Sequence, residues 1–320
     1  MLGEKMKLLR QIVTLCVCVG LLGAAASKAA DSPKDLVLKG DAVCTACHDA
    51  SGNPELLSIG KTKHGTVADA RTPTCTSCHG QSQEHLRQKG SAAPDITYSA
   101  KSTTPAGARN GACQECHQKD SRRFAWDSST HQARGLSCAS CHKVHAAKDL
   151  ARDKRTQSGV CFNCHKEQRS QINKPSHHPI AEGKMTCSDC HNVHGSAGPK
   201  LMNRVRVNDT CYTCHAEKRG PFVHNHQPVG EDCSICHNPH GTTAASLLKT
   251  RPPFLCNTCH TPHGPIQPAL ANGSRPASSA AGWWEPTVIT QGRSCVNCHS
   301  QIHGSNNPNS AAPNPQRLFR

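Results

Sequence analysis

Ten times in 320 residues the pattern Cys-x-x-Cys-His recurs, beginning at Cys44, Cys75, Cys113, Cys138, Cys161, Cys187, Cys211, Cys233, Cys256 and Cys295. A chain so built has little choice of interior. Two thiols with a histidine directly behind them converge on one side of a short turn. That arrangement can form thioethers to a porphyrin and deliver an imidazole to its iron, and it is the attachment signature of c-type haem. One copy alone would also fit half a zinc site; ten in series do not read as zinc knuckles. Only 3% of residues are aromatic, and the 35% hydrophobic fraction includes the cysteines. This is too little for an ordinary core at this length, so covalently held macrocycles are expected to fill the interior.

The expected cofactor-binding thiols are Cys44, Cys47, Cys75, Cys78, Cys113, Cys116, Cys138, Cys141, Cys161 and Cys164, then Cys187, Cys190, Cys211, Cys214, Cys233, Cys236, Cys256, Cys259, Cys295 and Cys298. The proximal iron ligands follow as His48, His79, His117, His142, His165, His191, His215, His237, His260 and His299. Twelve further histidines lie outside the motifs. Pairing the motifs odd with even gives five two-haem modules, starting near 44, 113, 161, 211 and 256. Each module has one spare histidine between its motifs and one after the second. These are His64 and His85, His131 and His145, His177 and His194, His226 and His240, His263 and His303. Ten haem c groups with bis-histidine iron are therefore expected. His177 competes with His178, and His224 with His226. Aligning His177-His178-Pro179-Ile180 with His226-Gln227-Pro228-Val229 favours His177 and His226. Which spare histidine serves which iron is open. Methionine is excluded as a general ligand, because only Met185 and Met202 follow the first 30 residues.

Residues 1–30 read as a secretory signal peptide: Lys5, Lys7 and Arg10 precede an apolar run, then small residues. The run is shorter than the ~20 residues of a spanning helix. Cys16 and Cys18 lie within it, so the twenty remaining cysteines all belong to motifs and none is left for a disulfide. The whole chain carries +15; residues 1–30 hold four Lys or Arg and one acidic residue, which leaves +12. Twenty propionates would offset that excess, and the basic residues are scattered, so nucleic acid is not expected as a partner. Residues 31–304 form the decahaem domain, and 305–320 a flexible Asn/Pro/Ala-rich tail. The 265–292 connector, with Trp283 and Trp284, reads as a surface excursion. The expected fold is a multihaem cytochrome c with little regular secondary structure, its short helices and loops wrapped around an elongated chain of haems. Helices are predicted over 111–119, 159–171 and 209–218, and the His-Gly pairs at His194, His240, His263 and His303 predict tight turns.

The run from His177 to Gly195, with Cys233-Ser-Ile-Cys-His-Asn-Pro-His-Gly241 and Cys256-Asn-Thr-Cys-His-Thr-Pro-His-Gly264, resembles the MtrA/DmsE family of periplasmic decahaem c-type cytochromes over roughly residues 40–304. The resemblance implies closely stacked bis-histidine haems forming a wire. It also implies a periplasmic chain seated in or against an outer-membrane β-barrel porin, passing electrons between a periplasmic or inner-membrane cytochrome and an extracellular multihaem cytochrome or mineral. Metal reduction and iron oxidation are both within the family's range.

Three functions compete. An electron carrier needs every sixth iron position filled, and the histidine count allows that. A multihaem enzyme needs an open iron, and no Cys-x-x-Cys-Lys motif marks one. A soluble periplasmic shuttle to a reductase shares the chemistry of the first and differs in partners.

Overall fold

The computed structural model describes residues 41–66, 71–260, 295–297 and 299–306. The expected leader, the 265–292 connector, His263, Cys298 and residues 307–320 lie outside them. Among the described residues there are short α-helices, 3-10 turns and isolated β-bridges, without strands. None of these helices is long and apolar enough to cross a membrane.

Two of the three helices that the sequence predicts are broken at the motif. The other, Ala106–His117, the longest among the described residues, begins earlier than expected and runs through its motif to the histidine. In place of one helix over 159–171 there are two, Gln157–Phe162 and Lys166–Gln171. The third becomes Val207–Cys211 followed by the 3-10 turn Ala216–Lys218. In the last two the chain leaves the helix at the motif and re-enters it beyond the histidine.

The second motif of a module has its own device. Thr74, Ser137 and Thr186 stand directly before Cys75, Cys138 and Cys187, and each closes a reciprocal capping box with Ser77, Ser140 or Asp189. The orphan amides of a very short turn are thereby satisfied. Asp232 takes the same place before Cys233 and accepts from Ser234 N at 2.7 Å.

The two motifs of a module are clamped by a polar side chain three residues ahead of the first. Asp41 Oδ1 accepts from Cys75 N at 2.7 Å, Asn110 Oδ1 from Cys138 N at 2.9 Å, and Asn208 Oδ1 from Cys233 N at 2.7 Å. All three are buried, at 2%, 3% and 1% exposure. Asn208 Nδ2 also donates to Val229 O at 2.9 Å. In the third module Gln157 Oε1 instead accepts from Ser188 N at 3.1 Å. Buried polar groups must be paired, and here the pairing fixes the distance between attachment motifs.

Consecutive modules are stapled through backbone. Ser176 and Thr242 exchange both amide bonds, at 3.1 and 2.8 Å, as do His224 and Ser305, at 3.0 and 2.9 Å. The glycines behind the histidines are where chains cross. Gly195 and Gly241 have φ of 116° and 147°, and a Cβ there would sit 2.2 Å from Ala125 O and 2.1 Å from Gln171 O. No other residue fits either place. Among the described residues the buried apolar side chains are only Trp126, Ile172 and Ala244.

Candidate haem-binding site

The described cysteines are free thiols, none in a disulfide, and their neighbours give the motifs an order. Within modules the first cysteines are close neighbours: Cys44 with Cys75, Cys113 with Cys138, Cys161 with Cys187, Cys211 with Cys233, and Cys256 with Cys295. Between modules the second cysteines are electrostatic neighbours: Cys78 with Cys116, Cys141 with Cys164, Cys190 with Cys214, and Cys236 with Cys259. The two contacts alternate without a gap from motif one to motif ten. Order in space follows order in sequence.

The histidine rings form close pairs, each joining a motif histidine to a spare one. His48 pairs with His85, His79 with His145, His117 with His64, His142 with His194, and His165 with His131. His191 pairs with His240, His215 with His178, His237 with His303, and His260 with His226. Ring centroids are 6.0–6.2 Å apart in all nine, whereas the interplanar angle runs from 3° to 88°. Direct stacking would tie distance to angle. A constant distance at any angle is what a shared central atom produces: two bonds of about 2 Å, with about 1.1 Å from nitrogen to ring centre, give roughly 6.2 Å.

Ring nitrogens agree. His79 Nδ1 donates to Ile96 O at 2.9 Å, His85 to Ala92 O at 2.7 Å, His131 to Val193 O at 3.0 Å, and His145 to Leu56 O at 2.6 Å. His191 donates to Lys200 O at 2.9 Å and His237 to Ser246 O at 2.8 Å. The latter carbonyls come from Lys200 and Ser246, held at φ 52° and 57°, so strained backbone aims them at the rings. His48 meets Asn53 Oδ1 at 2.9 Å and His142 meets Asp149 Oδ2 at 2.6 Å. Tying down Nδ1 fixes the tautomer that leaves Nε2 for iron. Burial also holds His64, His79, His117, His194, His240 and His303 below the usual imidazole range, hence neutral at pH 7 in the haem-free chain, the form that ligates.

The preference for His177 is corrected. His178 faces His215, and its Nδ1 donates to Pro239 O at 2.7 Å. Both nitrogens of His177 are engaged, Nδ1 with Lys174 O and Nε2 with Glu182 Oε1. The Glu182 carboxylate raises the His177 pKa. The alignment through proline was off by one. Ser176 and His224 each stand two residues before the facing histidine and carry the inter-module backbone staple, so His178 corresponds to His226. His178→Ala should therefore open one iron and give a high-spin ferric signal by electron paramagnetic resonance, whereas His177→Ala should leave every haem low-spin. A high-spin signal from His177→Ala alone would reverse the assignment.

The spare histidines cross between modules. A histidine lying between the motifs of one module faces the first motif of the next: His64 meets His117, and His131 meets His165. One lying after the second motif faces the second motif of the module before, as His145 meets His79 and His194 meets His142. Among the described pairs only His85 turns back within its own module, onto His48. Buried donors do lack acceptors, namely Arg109 Nε, Arg123 Nε and Trp126 Nε1, and haem propionates would supply them. The residues present fit haem c.

Comparison with known proteins decides the family. The chain is 42% identical over 274 residues to the multiheme cytochrome MtrA of Shewanella baltica, covering 84% of this chain and 80% of that one. The chain belongs to the MtrA family of multihaem c-type cytochromes. It is also 32% identical over 152 residues to the cytochrome c-type protein NrfB of Haemophilus influenzae, across 40% of this chain and 66% of the relative. A more distant similarity, 26% over 142 residues, is to a high-molecular-weight cytochrome c of Nitratidesulfovibrio vulgaris, across 36% of this chain and 26% of the relative. A doubled CXXCH family model matches residues 177–220 and 226–265, and a cytochrome c-type NrfB-like model matches 75–155. Each doubled match pairs an even motif with the next odd one, a frame that cuts across the modules. An array with alternating contacts admits both frames. The protein is a multihaem electron-transfer cytochrome.

Proposed function

We propose that this MtrA-like chain is a periplasmic decahaem wire, carrying electrons across the outer membrane inside or against a β-barrel porin. The observation that carries the reading is the unbroken neighbour order of the attachment cysteines, which supports haems lying side by side in the order of the sequence. All twenty motif cysteines form thioethers. The nine histidine pairs described above are the axial ligands. His299 would take its second ligand from His263, the expected spare histidine that the nine pairs leave over.

Haem supplies a one-electron iron couple, and two histidines per iron leave no position for a substrate. The chain's own part is to fix spacing through the Asp41, Asn110 and Asn208 clamps, to orient each ring through its Nδ1 bond, and to exclude exogenous ligands. It acts as a carrier, not an enzyme, between a periplasmic or inner-membrane cytochrome and an extracellular cytochrome or mineral. A second reading, a soluble periplasmic shuttle, draws support from the NrfB-like match over 75–155. Detergent extraction of native membranes separates the two. Co-purification with a large β-barrel protein is the expected result, and recovery alone from the soluble periplasmic fraction would replace the wire with the shuttle.

A further inference from the structure

Apart from His215, whose Nδ1 lies 3.8 Å from Glu217 Oε1 and so beyond hydrogen-bond distance, nine of the paired histidines have a described Nδ1 contact, and in eight the acceptor is neutral: seven backbone carbonyls and the Asn53 amide oxygen. The ninth differs. His142 Nδ1 meets the Asp149 carboxylate at 2.6 Å, with the two side chains 31% and 22% exposed. The loop after the motif is built to hold that contact. Asp149 Oδ1 accepts from Ala151 N at 3.1 Å, and its backbone carbonyl accepts from Arg152 N at 3.1 Å, which leaves Oδ2 for the ring. The neighbouring cation does not cancel the charge, since Lys148 Nζ is turned to Asp153 Oδ2 at 2.5 Å.

We infer that Asp149 is a positioning and tuning residue that makes the iron site of His142 and His194 a low-potential step partway along the array. A carboxylate that accepts the Nδ1 proton makes the imidazole a stronger donor through Nε2, and it does so with a charge-assisted bond about twice as strong as a neutral one. A stronger donor favours the ferric state over the ferrous. An electron on the array therefore meets an uphill site between the third and fifth motifs, and occupancy there is lower than at sites with neutral acceptors. The inference rests on the pairing of His142 with His194, so its test has to separate the two.

The experiment is a spectroelectrochemical titration of the full-length, haem-loaded protein in four forms: wild type, Asp149→Asn, His194→Met and Asp153→Asn. His194→Met labels the component that belongs to this iron. Asp149→Asn should raise the potential of that same component, so that at the wild-type midpoint its ferrous-to-ferric ratio rises about tenfold, or about 59 mV for one electron. Haem content and the remaining components should stay unchanged. Asp153→Asn removes a nearby charge without touching the ring and should move nothing. If Asp149→Asn leaves all components in place while His194→Met moves one, the pairing stands and the tuning role is overturned. If Asp149→Asn shifts several components, or Asp153→Asn shifts the labelled one equally, the effect is not carried through the ligand and the inference also falls. No movement in His194→Met would remove the pairing and the inference together.

Discussion

Expressed in a host without haem-attachment machinery, this chain will show no cooperative unfolding transition by circular dichroism and will be digested rapidly by protease. The described residues bury only Trp126, Ile172 and Ala244 as apolar core. Their helices are of four to twelve residues, below the length at which helices persist alone in water. What remains is a network of turns, clamps and backbone staples whose bonds are each worth about 1 kcal/mol net. Fixing one residue costs about 1–2 kcal/mol in backbone entropy, so that network cannot hold the chain by itself. Losing the macrocycles thus removes the whole net stability of a folded domain, about 5–15 kcal/mol. A sharp, reversible transition in the haem-free protein would show that the polypeptide carries its own core.

His194→Met has the second large effect, and it is local. The two thioethers at Cys138 and Cys141 are untouched, so haem content and mass should equal wild type. One redox component should move to higher potential, because thioether sulfur favours ferrous iron more than imidazole does. Each tenfold change in that preference amounts to about 59 mV. The other components should move little, since His194 faces only His142 among the motif histidines. Titration that finds every component in its wild-type place would mean that His194 is not a ligand.

The cofactor was legible in the sequence because its chemistry is covalent and local: two thiols and a histidine within five residues. The count of spare histidines was legible too. Their destinations were not, since on the proposed pairing most irons take the second ligand from another module, 53 residues upstream of His117 in the case of His64 and 66 downstream of His79 in the case of His145. The choice of His177 failed for a related reason. Proline looked like the alignment mark, but the register is set by a backbone staple two residues before the ring, and a staple has no side-chain signature. Two signals were visible and unused. Asp41, Asn110 and Asn208 stand at one position before three odd motifs, and a capping residue stands before Cys75, Cys138, Cys187 and Cys233. Each is ordinary alone and acquires meaning only when the turn it satisfies is known to be too short to satisfy itself.

The crossing of ligands between modules has a consequence for how the molecule is made. A chain made amino end first has His64 waiting when His117 emerges, so an odd site after the first can be completed at once. The even sites before the last cannot. His79 waits 66 residues for His145, and His142 waits 52 residues for His194. On the proposed pairing, the newest even site on an emerging chain is left with one histidine, until the next module arrives and closes it. Maturation then runs as a ratchet, each module licensing the one before. A chain cut short after any of the first four modules would then end on an even site that can still bind small molecules, a chemical mark of an unfinished product.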